Sequence, residues 1–275
     1  MLCALQVKAV GRDAPWRTSP LTQGDLIARL AAKGCLISPL LQCPWAHVRI
    51  FRRDWLHIAD LGVGADWLGN FLNYIQQFFP GGTKVERYNA IFDELQAFYE
   101  ANEVANRLEC LKPSFVENDL GFKLRGSAGT VRAMIPFAWQ LAQELLSVDD
   151  VEQNTVRQAA YHINMVYSCL SHSCLEPVPQ MKEHSTKFAL LYVGLHNLMN
   201  PTKPKLWRLK PKLHQWLHLC EEGSIPVKTW TYRDEDFGGS VAKAARRRGG
   251  MLRPQCTSAK VLWAFTTQCK AVRIL

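Results

Sequence analysis

The stretch WLGNFLNYIQQFFPGGTKVERYNAIFDELQAFY, residues 67–99, decides the fold class. Its large apolar residues recur every three or four positions, first before Pro80-Gly-Gly82 and again after it. That spacing places them on one side of a helix, whereas a Pro-Gly-Gly sequence ends one. Thr83 and Glu86 have the spacing of a capping box at the start of the second helix. The stretch therefore predicts two helices joined by a turn.

Helical spacing also appears on both sides of this stretch. Upstream, Thr22 and Asp25 have capping-box spacing, and Gly34 marks the end of a short helix. Downstream, we predict helices from about Ser127 to Leu146 with a kink at Pro136, from Asp149 or Asp150 to Leu170, from Phe188 to Met199, from Pro211 to Cys220, over 234–248, and around Val261, Leu262 and Phe265.

Two stretches have the character of β-strands. Residues 48–54, VRIFRRD, are short, contain β-branched residues and alternate in polarity. Residues 225–233, IPVKTWTYR, are rich in residues that favour strands. The expected fold class is therefore mainly α with a few β-strands.

Composition and charge narrow the classes of function. Of 275 residues 48% are hydrophobic and 21% charged, which excludes a mostly disordered chain. The formal net charge is +9, and residues 201–275 alone hold 15 basic and 5 acidic side chains. The positive charge thus belongs to the last quarter of the chain. This distribution predicts a polyanionic partner such as DNA.

Targeting signals and cysteines bear on location. The chain has no apolar run of ~18 residues and no secretory signal, so we expect no membrane contact. Nine cysteines without a Cys-x-x-Cys sequence favour reduced thiols over a disulfide framework. We therefore expect a nuclear or cytoplasmic protein that is not secreted.

The first candidate site is Asp54-Trp-Leu-His57, which follows the predicted strand and precedes a predicted glycine-rich turn, Leu61-Gly-Val-Gly64. A carboxylate at a strand end, with a histidine three residues on, suits a divalent metal or an attacking water. The alternative is structural: Asp54 caps a helix and His57 packs under Trp67. Both interpretations are open at this point.

The second candidate site is acidic and then basic. Asp234-Glu235-Asp236 precedes Lys243 and the run Arg246-Arg247-Arg248. Adjacent carboxylates gain from a bound cation, and the cations that follow suit phosphate. The alternative is that these charges complement the dipole of a helix whose basic side faces solvent.

The basic region extends upstream and includes aromatic residues. We expect Lys210 and Lys212 to contact nucleic acid together with Lys243, Arg246, Arg247 and Arg248. The rings of Trp207, Trp216, Trp230 and Tyr232 either stack on bases or belong to the core. His214 and His218 have a spacing that allows both to bind one metal, but packing or hydrogen bonding is the simpler interpretation. A loose metal-like cluster is formed by Cys169, His172, Cys174 and His184, but structural thiols at a helix end are the simpler interpretation.

Together these motifs resemble RNase H-like transposases of large eukaryotic DNA transposons, the CACTA-like and Kyakuja-Dileera-Zisupton kinds. The resemblance rests on Asp54-x-x-His57 with Leu61-Gly-Val63, and on Lys210-Pro-Lys-Leu-His214. It further rests on Glu235, Gly239 and Lys243. It covers roughly residues 45–250 and implies a metal-dependent enzyme that cleaves and transfers DNA strands.

The resemblance also implies roles for single residues. Asp54, His57, Glu235 and Asp236 would be catalytic. Asp54 with Glu235 or Asp236 would hold Mg²⁺ or Mn²⁺, with Asp234 as a further choice for the third carboxylate, and no organic cofactor is expected. The family's first carboxylate lies on an earlier strand, whereas the 53 residues before Asp54 predict a helix and loops.

We therefore expect an incomplete RNase H-like core that carries a long all-helical insertion and is catalytically incomplete without a partner chain or oligomer. The expected segments are an N-terminal helix with loops (1–44), core remnants (45–64 and 225–250), a helical insertion (65–224) and a C-terminal helix (251–275). The alternative is a non-catalytic, basic helical module that binds nucleic acid or another partner.

Overall fold

Helices dominate the protein, as a computed structural model shows. The structure describes Val10, Ala14, residues 22–37, Leu41, and residues 53–170, 179–199, 201–221 and 231–247. Two compact units divide the chain, residues 1–230 and 231–275. The prediction of a mainly α fold with few strands is confirmed.

The described helices follow the chain in this order. The first unit contains α1 (Gln23–Ala32), a π-helical segment (Leu56–Gly64), α2 (Ala65–Ile75) with a 3₁₀ turn (Gln76–Phe78), α3 (Lys84–Ala101), α4 (Pro113–Val116), α5 (Ala128–Leu145), α6 (Val151–Ser168), α7 (Pro179–Met199) and α8 (Pro211–Glu221). The second unit contains α9 (Tyr232–Arg247). The last predicted helix, around Val261, lies outside the described residues.

Local capping signals set several helix starts as predicted. Both capping boxes form: the Thr22 side chain accepts from the amide of Asp25, and Thr83 accepts from that of Glu86. Gly34, at φ +63°, follows α1 as a helix-ending glycine should. Asp150 caps α6, which settles the choice between Asp149 and Asp150.

The predicted glycine-rich turn at 61–64 is wrong, because these residues continue a helix. The π-helical segment runs directly into α2. Its glycines admit close neighbours instead of making a turn. A Cβ on Gly64 would lie 2.6 Å from the hydroxyl oxygen of Tyr167, and a Cβ on Gly62 would lie 2.8 Å from Cδ of Lys212.

The strands differ from the prediction. Residues 48–52 lie outside the described part, and Arg53 and Asp54 are not in a strand. Of the second predicted strand, residues 225–230 lie outside the described part, whereas Tyr232 begins α9. A short antiparallel pair, Glu117–Asn118 (β1) with Gly121–Phe122 (β2), was not predicted and interrupts the helical span.

A cluster of aromatic rings forms the centre of the first unit. Trp207 packs against Trp67 with ring centroids 5.1 Å apart, and Trp216 packs against Phe188 at the same distance. Both Trp207 and Trp216 are completely buried. The interpretation of these two as base-stacking residues is therefore wrong, and the core interpretation holds; Trp230 lies outside the described residues.

The backbone at Trp207 has a left-handed conformation, φ +53°, which is unusual for a large side chain. Its backbone N–H donates to Oδ1 of Asn70 over 2.7 Å, and the side-chain nitrogen Nδ2 of Asn70 donates to the backbone carbonyl oxygen of Asp66 over 2.7 Å. The chain just before Lys210 is thereby held against α2.

Candidate functional site

Asp54 caps the helix that begins after it. Its two carboxylate oxygens accept from the amides of Leu56 and His57, each over 3.1 Å. Nδ1 of His57 lies 2.5 Å from Oδ2 of Asp54. The helix-cap alternative is confirmed for Asp54, whereas His57 does not pack under Trp67, since 53% of its side chain is exposed.

Lys212 joins this pair from a distant part of the sequence. Its Nζ donates to the carbonyl oxygen of His57 over 2.7 Å, although 155 positions separate the two residues. The lysine chain crosses Gly62, where a Cβ would clash with it. The structure thus brings together two motifs on which the resemblance rests, Asp54-x-x-His57 and Lys210-Pro-Lys-Leu-His214.

Lys210 binds a buried carboxylate. Its Nζ lies 2.7 Å from Oδ1 of Asp66, and the Asp66 side chain is only 9% exposed. Burial raises the pKa of Asp66, and the positive charge of Lys210 opposes that rise most strongly, followed by Lys123 and Lys212. The positive charges of three lysines therefore all favour the ionised form of the Asp66 carboxylate.

Lys123, which was not predicted, is the third of these lysines. Its Nζ donates to the carbonyl oxygen of Leu61 over 2.8 Å. Its backbone passes so close to α2 that a Cβ on Gly69 would lie 2.4 Å from the Lys123 Cα. A glycine within a helical pattern is a signal of such an approach, but it does not identify which segment approaches.

We call Lys123, Lys210 and Lys212 the lysine row. Their acceptors, the carbonyl oxygens of His57 and Leu61 and the carboxylate of Asp66, follow one another along the π-helical segment into α2. Burial lowers the pKa of Lys212, and Lys123 lowers it further. Lys123 has a stronger effect on this pKa than Lys210 has, whereas the charge of Asp66 raises it.

α9 carries the other predicted cations. Lys243, Arg246 and Arg247 are exposed, and the two arginines lie in the last turn. Arg248 lies outside the described residues, as do the side chains of Asp234, Glu235 and Asp236. Asp54 belongs to the first unit, whereas Glu235 and Asp236 belong to the second. Their pairing therefore stays a prediction.

Two pairs of histidines face each other in the first unit. Nδ1 of His162 lies 2.8 Å from Nδ1 of His184 across α6 and α7, and Nε2 of His214 lies 3.1 Å from Nε2 of His218 within α8. Burial is the main cause that lowers the pKa of His162, to about 4. The hydrogen bonds within both pairs, and the lowered pKa of His162 in the first, agree with the structural interpretation of His184, His214 and His218.

Asp54 by itself does not make a magnesium site. Both of its oxygens serve the helix cap, and Lys212 binds the adjacent carbonyl group. Among the described residues no group of three or more His, Cys, Asp or Glu side chains is placed to hold a metal ion. Mg²⁺ gives up water only for several well-placed oxygen ligands. The metal site that pairs Asp54 with Glu235 or Asp236 stays a prediction.

Comparisons with known proteins do not assign a family. No protein-family model matches the chain, and neither a curated protein nor a solved structure matches it. No helix within the described ranges is long and apolar enough to span a bilayer. The function must therefore be inferred from the chemistry of the site itself.

Proposed function

We propose that this protein is a nucleic-acid-binding module that acts without catalysis when alone, and that α9 makes its principal contacts. The observation that carries this function is the exposed cationic surface formed by Lys243, Arg246 and Arg247. These residues are three and four positions apart, so their side chains lie on one side of the helix. Lysine and arginine side chains in this arrangement suit the phosphates of a nucleic-acid backbone.

The charge of the whole chain supports the same function. Residues 201–275 hold 15 basic and 5 acidic side chains, so the region around α9 attracts polyanions over a longer range than its direct contacts. DNA is the proposed partner, and the proposed location is nuclear or cytoplasmic.

We further propose that the chain derives from an RNase H-like transposase, whose core would comprise residues 45–64 and 225–250. Support comes from the contact between Lys212 and the carbonyl oxygen of His57. It joins two sequence motifs that the resemblance assigns to the same family.

Binding to a fluorescent DNA duplex, measured by anisotropy, tests the proposed function. The variant Lys243→Ala/Arg246→Ala/Arg247→Ala removes three exposed cations and should weaken binding about tenfold or more at moderate salt. The matched control is Arg29→Ala/Lys33→Ala/Lys182→Ala, which removes the same charge from exposed positions on or next to α1 and on α7. The control should bind nearly as well as the original chain. Equal weakening in both variants, or no binding by the original chain, would overturn the function.

Metal-dependent strand cleavage is the second candidate, and the pairing of Asp54 with His57, which the resemblance assigns to the catalytic centre, favours it. It requires Glu235 or Asp236 to complete a site for Mg²⁺ or Mn²⁺ with Asp54. Nicking of labelled DNA in either metal is the measurement. Asp54→Asn is the informative variant, because asparagine keeps the helix cap while it removes the charge. Nicking that disappears in the variant supports cleavage; equal or absent nicking in both chains removes it.

A further inference from the structure

We propose that the lysine row (Lys123, Lys210 and Lys212) is a second binding site, one for phosphate groups, in the first unit of the protein. Its three lysines belong to other elements than α9, and its existence does not depend on DNA binding by α9. Lys210 and Lys212 come from one segment and Lys123 from another, so the fold alone assembles the site.

Charge is the first reason. The positive charges of Lys210, Lys123 and Lys212 all favour the ionised form of the Asp66 carboxylate, which binds Lys210 directly. Burial is the main cause of the lowered pKa of Lys212, and repulsion between the charges of Lys123 and Lys212 adds to it, whereas Asp66 opposes it. A phosphate beside Lys123 and Lys212 would relieve that repulsion. The Asp66 carboxylate lies at the Lys210 end, so the opposite end favours an anion most.

The unused hydrogen-bond donors are the second reason. Each ammonium group has three N–H donors. Within the described residues each makes one bond: Lys212 to the carbonyl oxygen of His57, Lys123 to that of Leu61, and Lys210 to Asp66. Two donors on each lysine therefore point elsewhere, and phosphate oxygens are strong acceptors for them.

The row is also ordered before a ligand arrives. A lysine on an open surface loses much conformational freedom when it binds, and that loss weakens binding. Here each Nζ is already fixed by an acceptor, and the chain of Lys212 lies across Gly62. Folding therefore supplies most of the ordering that phosphate binding requires.

The site is accessible and has a regular spacing. The Lys210 side chain is 41% exposed, Lys123 and Lys212 are half-buried, and His57 beside them is exposed. The acceptors of Lys212 and Lys123, the carbonyl oxygens of His57 and Leu61, are four residues apart on the π-helical segment. Ammonium groups held by neighbouring acceptors can bind different oxygens of one pyrophosphate or successive phosphates of a nucleic-acid strand.

Calorimetric titration with pyrophosphate and anisotropy with a short single-stranded oligonucleotide test the site in the full chain. The variant is Lys123→Gln/Lys212→Gln, since glutamine keeps an N–H donor but loses the charge. We expect its affinity to fall about tenfold per lysine, because each charge-assisted bond is lost. Lys33→Gln/Lys182→Gln, at exposed positions in other elements, is the control and should bind like the original chain.

The two ligands distinguish the sources of phosphate. If Lys123→Gln/Lys212→Gln loses affinity for both ligands, the row is a general phosphate site. Lost affinity for the oligonucleotide alone supports a nucleic-acid strand as the ligand, and lost affinity for pyrophosphate alone supports a small phosphorylated molecule. Equal affinities for the variant and the control, or no binding of either ligand, would overturn the site.

A second variant keeps the charge of Lys212 but moves its side chain. Gly62→Ala places a Cβ 2.8 Å from Cδ of Lys212 and 3.0 Å from the carbonyl oxygen of His57, so Lys212 must move. Affinity for pyrophosphate should fall, whereas circular dichroism should retain the helical signal. If α9 variants bind DNA normally while row variants lose phosphate, the proposed function fails and this site stands.

Discussion

The chain has two basic regions whose cations are used differently. In the lysine row every ammonium group binds an oxygen of the first unit. On α9 the side chains of Lys243, Arg246 and Arg247 are exposed. A cation held by a buried partner contributes to folding, whereas an exposed cation contributes little to it. Basic residues in the two regions should therefore differ in how much they stabilise the fold. Measuring stability and binding separately can distinguish them.

The largest difference in stability between variants of the two regions should come from Trp207. This residue holds the segment that carries Lys210 and Lys212. Its ring is completely buried, and its N–H donates to Asn70. Trp207→Ala should lower the free energy of unfolding by about 3–5 kcal/mol in urea denaturation, because it leaves a large cavity. Arg246→Ala on α9 is the control and should change it by less than about 0.5 kcal/mol. Equal effects would contradict the contrast between the two regions.

Acid should affect the first unit more than α9, which contains no histidine. The pKa of His162 falls to about 4 on folding, from an ordinary value of 6.5. The unfolded chain therefore binds more protons between these values, so stability is lost as pH falls from 6.5 towards 4. His162→Phe should reduce that loss by on the order of 2 kcal/mol in unfolding experiments across this range. An unchanged pH dependence would contradict the buried, neutral His162–His184 pair.

A smaller effect should separate single lysines in the two regions. Lys210→Ala leaves the buried Asp66 carboxylate without its ion pair, and we expect the free energy of unfolding to fall by about 1–2 kcal/mol. Lys243→Ala removes an exposed charge and should change it by less than about 0.5 kcal/mol. Chemical denaturation of both variants makes the comparison. A larger loss for Lys243→Ala would reverse the assignment of roles.

Features that depend on neighbouring residues were predictable from the sequence. The capping boxes at Thr22 and Thr83 need only a partner three residues away, and both form as expected. The cap at Asp54 is equally local, and the sequence offered it beside the metal interpretation. Repeated apolar spacing identified the helices because an amphipathic pattern needs no knowledge of the partner surface.

Features that depend on distant residues were not predictable. Gly62 and Gly64 have the character of a turn in the sequence, but Lys212 and Tyr167, more than 100 positions away, occupy the space that their missing side chains leave. Lys123 belongs to the site because its backbone passes Gly69, and that glycine alone does not identify which segment approaches it. The basic charge of the region and the resemblance both pointed to Lys210 and Lys212, whereas their acceptors became apparent only with the fold.

The central claim is that exposed cations on α9 bind nucleic-acid phosphates, and the salt dependence of binding tests it most directly. For duplex DNA the logarithm of the binding constant falls with the logarithm of salt concentration by about 0.9 for each phosphate contacted. We predict a steep negative slope for the original chain, and a slope smaller in magnitude by about 2–3 when Lys243, Arg246 and Arg247 are replaced by alanine. A slope that these substitutions leave unchanged, or binding that does not respond to salt, would contradict the claim.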